Sequence, residues 1–96
     1  MISNLNLMRL LTFYSEDHYR HAFYTNLTLN INETPDYIVT TVSTDDGETL
    51  ELRLDKDSEY IVATINITTK TVFIDVAEAR NDAERAVEKM WQRFYS

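Results

Sequence analysis

The chain has no cysteine, one glycine and one proline among its 96 residues. Without cysteine it has no disulfide framework, no thiolate metal site and no cysteine nucleophile. Loops that cradle phosphate groups need several glycines, because backbone amides must approach the ligand, so a single glycine excludes their known forms. With so few turn-forming residues, no linker and no second domain are indicated. We therefore expect one domain spanning residues 1–96.

Long apolar stretches are absent as well. Asn4, Asn6 and Arg9 interrupt the apolar residues of the N-terminal segment, which leaves no continuous apolar region for a signal peptide. No run approaches the ~20 apolar residues of a membrane-spanning helix. These absences predict a cytoplasmic protein, in the bacterial host if it is phage-encoded, with no membrane partner. Hydrophobic residues still make up 44% of the chain, which predicts a packed core rather than disorder.

Alternation of apolar and polar residues begins in the segment Tyr24–Asn32. Thr25, Leu27, Leu29 and Ile31 would share one face of a strand, and polar residues would occupy the other. This period of two is typical of a strand with one buried face.

Four more strand-like runs follow, separated by short turns. The pair Asp46-Gly47 lies between two of them and is a strong hairpin signal, because glycine adopts the positive φ that such turns require. The runs are Tyr37–Thr44, Glu48–Leu54, Tyr60–Ile67 and Thr71–Val76, with turns at Pro35, at Asp55–Glu59 and at Thr68-Thr69-Lys70. In the last three runs, the residues predicted to face the core are Leu50, Leu52, Leu54, Ile61, Ala63, Ile65, Ile67, Val72, Ile74 and Val76. Short connections predict an antiparallel meander.

The C-terminal segment changes to a helical period. Its apolar residues recur at steps of three and four, at Ala83, Ala86, Val87, Met90, Trp91 and Phe94. Two start signals compete, Asp75 with Glu78 and Asn81 with Glu84, and each resembles a capping box. We expect a helix from about Ala77 to Tyr95, with a bend near Asn81.

The N-terminal segment, residues 1–22, is compatible with one or two short helices. Leu7, Leu11 and Tyr14 fit a helical stripe, although alternation is also present, and Ser15 resembles a second helix start. Together these patterns predict an α+β fold. A meander of four or five antiparallel strands occupies residues 23–76, an amphipathic helix over residues 77–95 packs on one face, and a short helical segment precedes the sheet.

Candidate metal ligands are few. His18 and His21 would lie on one face of a helix, but no third histidine or cysteine completes a zinc site. Asp55, Asp57 and Glu59 have the spacing that opens an EF-hand loop, but the glycine and the final glutamate of that motif are missing. We expect no metal, no cofactor and, in the absence of a nucleophile motif, no catalytic residue.

Net charge is the most informative feature of the sequence. Between residues 33 and 59 nine acids face only Arg53 and Lys56, a net of −7 that equals the net charge of the whole chain. These acids are predicted to form a partner-binding edge: Glu33, Asp36, Asp45, Asp46, Glu48, Glu51, Asp55, Asp57 and Glu59. Such a field repels nucleic acid directly and attracts a basic partner, although acidic turns also serve solubility alone.

A second candidate surface lies at the C-terminus. Trp91, Arg93 and Tyr95 are residue types enriched at interface hot spots. The competing interpretation is that Trp91 packs on the sheet and Tyr95 covers its edge.

Size, acidity and the lack of a catalytic motif together favour a binding protein. In these respects the chain resembles small inhibitors of phages and mobile elements, such as anti-CRISPR and anti-restriction proteins. Such an inhibitor would block a nucleic-acid-handling protein by imitating nucleic acid at that protein's basic groove. The alternatives are an immunity protein or antitoxin, and a structural or adaptor subunit that forms a homodimer through a sheet edge or the terminal helix.

Overall fold

The chain forms a five-stranded antiparallel sheet with a layer of helices on one face. The computed structural model describes residues 1–67 and 70–96. In chain order the elements are α1 (Asn4–His21), β1 (Leu27–Glu33), β2 (Tyr37–Thr44), β3 (Thr49–Asp55), β4 (Tyr60–Ile65), β5 (Thr71–Asp75), α2 (Val76–Asn81) and α3 (Ala83–Phe94). The strands lie in sequence order from β1 to β5. The predicted α+β fold and its meander are therefore confirmed.

The N-terminal segment is one helix. Ser3 caps it, and its hydroxyl accepts a hydrogen bond from the Asn6 amide at 3.1 Å. Ser15, which resembles a helix start in the sequence, lies inside α1 and is fully buried. Its hydroxyl donates to the Leu11 carbonyl at 2.8 Å, so the helix continues through it.

The Asp-Gly hairpin joins β2 to β3 as predicted. The Thr44 amide donates to the Glu48 carbonyl at 2.8 Å, which leaves a three-residue loop that ends at Gly47. Gly47 has φ of +96°, a conformation that favours glycine. The turn at Pro35 connects β1 to β2 at the opposite end of the sheet. We name these two ends the Gly47 end and the Pro35 end.

The core lies between the helices and one face of the sheet. Apolar residues of β3 to β5 alternate into it as the sequence predicts, and β2, whose buried face the sequence left open, contributes Ile38 and Val42. The helices α1, α2 and α3 supply the opposing layer. Its buried hydrophobic residues are Leu7, Met8, Leu11, Tyr19, Ile38, Val42, Leu50, Leu52, Leu54, Ile61, Ala63, Val72, Ile74, Ala79, Ala83, Ala86, Val87, Met90 and Trp91. Within residues 1–67 and 70–96, no helix covers the opposite face of the sheet.

The buried face predicted for β1 is wrong. Thr25 is exposed and precedes the strand, Leu27 is half-buried, and Leu29 and Ile31 are 43% and 41% exposed. The reason is position, because β1 is an edge strand and α1 packs mainly on the neighbouring β2.

The predicted core also extends too far at the end of two strands. Ile67 is 90% exposed and, like Asn66, has a positive φ, so the chain turns before it. Val76 begins α2 instead of ending β5. Of the turn predicted at Thr68-Thr69-Lys70, Thr68 and Thr69 lie outside the described residues.

The single helix predicted from Ala77 to Tyr95 is two helices. Asp75 caps α2 by accepting from the Glu78 amide at 3.0 Å, as one of the competing signals predicts. Asp82, rather than Asn81, caps α3 and accepts from the Arg85 amide at 3.1 Å. Asp82 has extended dihedrals, φ −154° and ψ 90°, which interrupt the helix where a bend was expected.

Candidate binding groove

The nine predicted partner-binding acids do not share one surface. Strand β2, whose eight residues span about 26 Å, separates the two ends of the sheet. At the Pro35 end lie Glu33, Asp36, Asp55, Asp57 and Glu59; at the Gly47 end lie Asp45, Asp46 and Glu48; Glu51 lies within β3 on the open face. The predicted acidic edge is therefore two separate surfaces, and partner binding by either stays a prediction.

Several of these acids already have partners within the chain. Glu33 forms an ion pair with Lys56 at 2.8 Å, and Asp55 forms one with Arg53 at 3.1 Å. Glu48 accepts a hydrogen bond from the buried Tyr19 hydroxyl at 2.6 Å. The negative field available to a partner is correspondingly weaker than a count of acids suggests.

A groove of about 440 Å³ runs between α1 and α3 on the outside of the helix layer. Its residues combine an apolar floor with an acidic rim. They are Tyr14, Asp17, His18 and His21 of α1, and Glu84, Val87, Glu88, Trp91, Gln92 and Tyr95 of α3 and its C-terminal cap. The groove therefore unites residues that are 63 or more positions apart in the chain.

The two helices run in the same direction. The Arg80 guanidinium, just before α3, donates to the Ile2 carbonyl and to Asn4 Oδ1 at the start of α1. At the other end, His18 contacts Trp91 and Tyr95 near the end of α3. The groove follows the C-terminal part of α1, from Tyr14 to His21, and runs along α3 from Glu84 to Tyr95.

Stacked aromatic rings form the end of the groove. The His18 imidazole lies parallel to the Trp91 indole, with ring centroids 4.1 Å apart and planes 10° apart. His18 Nε2 lies 3.2 Å from the Tyr95 hydroxyl. Tyr19 meets the indole edge-on, with centroids 5.2 Å apart. Neighbours on several sides thus hold the indole in place.

Burial perturbs the titration of this cluster. Desolvation lowers the pKa of His18, and the nearby Glu48 carboxylate partly opposes the effect. Desolvation and the hydrogen bond to Glu48 raise the pKa of Tyr19 far above its usual range. Desolvation also raises the pKa of the Tyr95 hydroxyl. At neutral pH both phenols are therefore neutral.

The rim carboxylates are available to a ligand. Asp17 lies 3.4 Å from His21 Nδ1, whereas Glu84 and Glu88 are exposed and form no ion pair within residues 1–67 and 70–96. Trp91 is 4% exposed, and its indole nitrogen has no hydrogen-bond acceptor in the described part of the chain. A buried donor without an acceptor costs free energy, so the hydrogen-bonding capacity of the groove residues is not fully used within the chain.

The second predicted surface is only partly brought together by the fold, and partner binding by it stays a prediction. Trp91 and Tyr95 both line the groove, but Arg93 points elsewhere and donates to the Phe73 carbonyl of β5 at 3.1 Å. The contribution of α1 was missed, because His18 was considered only as a candidate metal ligand. Its spacing with Tyr14 and His21, at steps of four and three, was the available signal.

The described ranges contain no group of three histidine or acidic side chains placed to hold a metal ion. The absence of a bound metal and of a cofactor stays a prediction. No helix in the same ranges is both long and apolar enough to cross a membrane.

The open face of the sheet carries a second group of exposed aromatic residues. The Arg53 guanidinium lies 4.2 Å above the ring of Tyr37, and Tyr60 and Phe73 meet edge-on at 6.3 Å. Tyr60 and Phe73 are about half exposed. This surface includes residue types that are enriched at interface hot spots.

Comparison with protein families, curated proteins and solved structures found no match to this chain.

Proposed function

We propose that this protein is a non-enzymatic binding domain that holds a basic amphipathic helix of a partner protein in the groove between α1 and α3. The observation that carries the proposal is the apolar, aromatic floor at Trp91 beneath an acidic rim at Asp17, Glu84 and Glu88. In this proposal the partner is a nucleic-acid-handling protein whose basic segment becomes blocked, as expected for a small inhibitor.

The shape of the groove favours a helical ligand. Helix α3 has twelve residues and is about 18 Å long, which gives room for three turns of a helix lying beside it. Helix-in-groove binding uses apolar side chains at every third or fourth position of the ligand as anchors. Val87 and Trp91 lie one turn apart on the floor and offer matching contacts.

The negative charge of the groove rim favours a positively charged ligand. Glu84 and Glu88 have no cationic partner among the described residues, and the chain as a whole carries −7. Lysine or arginine on the exposed flanks of a bound helix would meet these carboxylates, while the two acidic ends of the sheet would speed the encounter. The attraction should weaken with salt.

Rigidity of the aromatic cluster supports tight binding. Trp91 is clamped by His18 and Tyr19, so little side-chain freedom remains to be lost when a ligand binds. Tyr95 is 70% exposed and can cover the ligand. Aromatic anchors of this kind commonly dominate interface energies.

The test uses a synthetic helical peptide with leucine at every third and fourth position and lysine or arginine elsewhere. Trp91 is the only tryptophan, so its fluorescence reports the groove directly. We expect the basic peptide to change this signal on binding, with an affinity that falls as salt rises. A peptide of the same leucine pattern with glutamate in place of the cations should not bind. No response to the basic peptide would overturn the proposal.

Two matched charge reversals locate the site. Glu84→Lys with Glu88→Lys alters the groove rim, and Asp36→Lys with Asp57→Lys makes the same change in net charge at the Pro35 end. All four positions are exposed, so the fold should tolerate both pairs. We expect the groove pair to weaken peptide binding at least about tenfold and the control pair less than about threefold. Equal losses would show that only overall charge matters and would reject the groove.

A further inference from the structure

Strand β1 is an unprotected edge of the sheet. The Thr34 amide donates to the Tyr37 carbonyl at 2.9 Å, which identifies this pair as hydrogen-bonded. Along an antiparallel ladder, hydrogen-bonded residue pairs alternate with pairs that are not hydrogen-bonded. The pairs that bond β1 to β2 are therefore Thr28–Ser43, Asn30–Thr41 and Asn32–Val39. The backbone N–H and C=O groups of the intervening residues, Leu27, Leu29, Ile31 and Glu33, therefore point away from the sheet.

The opposite edge of the sheet is protected. At β5, the Arg93 guanidinium donates to the outward-facing Phe73 carbonyl at 3.1 Å, and α2 begins directly after the strand. Strand β1 has no comparable protection of its edge. Its residues 27–32 carry no charge and no proline, and seven unbroken pairs with β2 leave no bulge. Proteins normally avoid a long, regular, uncharged edge, because it pairs readily with another strand.

The same strand exposes apolar side chains on the helix side of the sheet. Leu29 is 43% and Ile31 41% exposed. Helix α1 lies over β2, where the hydroxyls of Thr12 and Thr40 are 2.8 Å apart, and does not cover β1. Unpaired backbone groups and uncovered apolar side chains thus occur on the same residues.

We infer that two copies of this chain pair through β1, antiparallel about a two-fold axis at Asn30, to form one continuous ten-stranded sheet. A second copy fits because an antiparallel edge is self-complementary. In this register Leu29 of one copy lies opposite Ile31 of the other, and Leu27 lies opposite Glu33. All seven residues pair, and the two Glu33 carboxylates stay apart.

Side-chain packing is compatible with this arrangement. Three strand spacings separate the β2 strands of the two copies, so the α1 helices above them are about 14 Å apart. Leu27, Leu29 and Ile31 of both copies would fill the floor between these helices. Because each copy carries −7, we expect the dimer to strengthen as salt rises. The groove proposed above lies on the far flank of α1 and responds to salt in the opposite sense, so the two proposals fail independently.

Sedimentation equilibrium of the full chain, from micromolar to submillimolar concentration, tests the dimer. We expect a species of twice the 11.3 kDa chain mass that does not grow further, because each copy uses its β1 edge once. A monomer throughout this range would overturn the inference. Open-ended growth would also overturn it, because a two-fold interface is closed.

The Leu29→Pro variant is designed to remove only the intermolecular contact. Residue 29 does not donate to β2, so proline there leaves the internal ladder intact while it blocks the outer edge. We expect a folded monomer with a dissociation constant raised at least about tenfold. If this variant does not fold, Leu29→Lys with Ile31→Lys makes the same test through charge repulsion. Thr71→Lys with Phe73→Lys on β5 is the matched control and should leave the dimer intact; loss of the dimer in the control alone would place the interface elsewhere.

Amide hydrogen exchange gives a readout at single residues. The amides of Thr28, Asn30 and Asn32 are bonded to β2 and should be protected in every state. Those of Leu29 and Ile31 should be protected in the wild-type chain at high concentration and exchange fast in the monomeric variants. Fast exchange at Leu29 and Ile31 in a sample that is dimeric by mass would reject β1 as the interface. If these two amides are protected from exchange in a sample that is monomeric by mass, they do not point away from the sheet.

Discussion

His18 and Trp91 lie face to face, with their ring centroids 4.1 Å apart and their planes 10° apart. His18 belongs to α1 and Trp91 to α3, so this stack joins two helices that no short connection links. It also forms one end of the proposed groove. These two residues therefore contribute both to the packing of α1 on α3 and to the shape of the groove.

Acidification should weaken the fold through His18. Burial lowers the pKa of this residue from its ordinary value of 6.5, so the unfolded chain binds a proton more readily than the folded chain. The contribution of His18 to the free energy of unfolding is therefore full above pH about 6.5 and is lost as the pH falls through the lowered pKa. His18→Phe keeps a planar ring against Trp91 and removes this titration. Urea unfolding should show that the wild type loses more stability than the variant as the pH falls through this range; a constant difference would contradict the prediction.

Removal of the Tyr19 hydroxyl should destabilise the protein. Tyr19 is 2% exposed and donates to Glu48 at 2.6 Å. We expect Tyr19→Phe to cost about 1.5–3 kcal/mol of unfolding free energy, the range for bonds to charged groups. Tyr24→Phe removes a similar bond to Asp46, of 3.2 Å, from the surface. Its cost should be clearly smaller, and equal costs in denaturant unfolding would show that burial does not determine the strength of these bonds.

Thr12 and Thr40 should show strong energetic coupling. Both are buried, and their hydroxyls lie 2.8 Å apart between α1 and β2. Thr12→Val leaves the buried Thr40 hydroxyl without this partner, which costs about 1–3 kcal/mol. Thr40→Val should cost less, because the Thr12 hydroxyl keeps its hydrogen bond to the Met8 carbonyl at 2.7 Å. The double variant removes both polar groups and should cost less than the sum of the two. A double-mutant cycle that is additive within about 0.3 kcal/mol would contradict the coupling.

The start of α3 should depend on Asp82 and not on Asn81. Asp82 accepts a hydrogen bond from the Arg85 amide at 3.1 Å. We expect Asp82→Ala to cost about 1 kcal/mol, the usual value for a lost N-cap. Asn81→Ala changes the neighbouring exposed position, which the sequence pattern suggested as the cap, and should be neutral within about 0.5 kcal/mol. The reverse order of the two costs in thermal unfolding would place the cap at Asn81.

Local patterns were sufficient for much of the fold. Alternation identified the core faces of β3 and β5, and the pair Asp46-Gly47 identified the central hairpin, because backbone geometry alone sets these periods and turns. The cap at Asp75 was also visible in the sequence. The cap at Asp82 was not, since Asn81 one residue earlier offers the same chemistry.

How deeply the residues at the edge of the sheet are buried could be learned only from the tertiary structure. Leu29 in β1 and Leu52 in β3 have the same local pattern, but Leu29 is 43% exposed and Leu52 is 1% exposed. Alternation shows which side chains share a face, whereas coverage of that face depends on where α1 packs. The sequence could therefore predict strand β1 but not its open edge.

The α+β fold class, the strand meander, the net charge of −7 and the absence of cysteine chemistry all follow from the amino-acid sequence alone. Which distant residues meet depends on the tertiary structure. The tertiary structure places eight of the nine acids at two opposite ends of the sheet, because successive hairpin turns of a meander lie at opposite ends, and it leaves Glu51 within β3. It also brought His18 to Trp91, because helices that share one face of a sheet must pack side by side, and no local pattern records that distance.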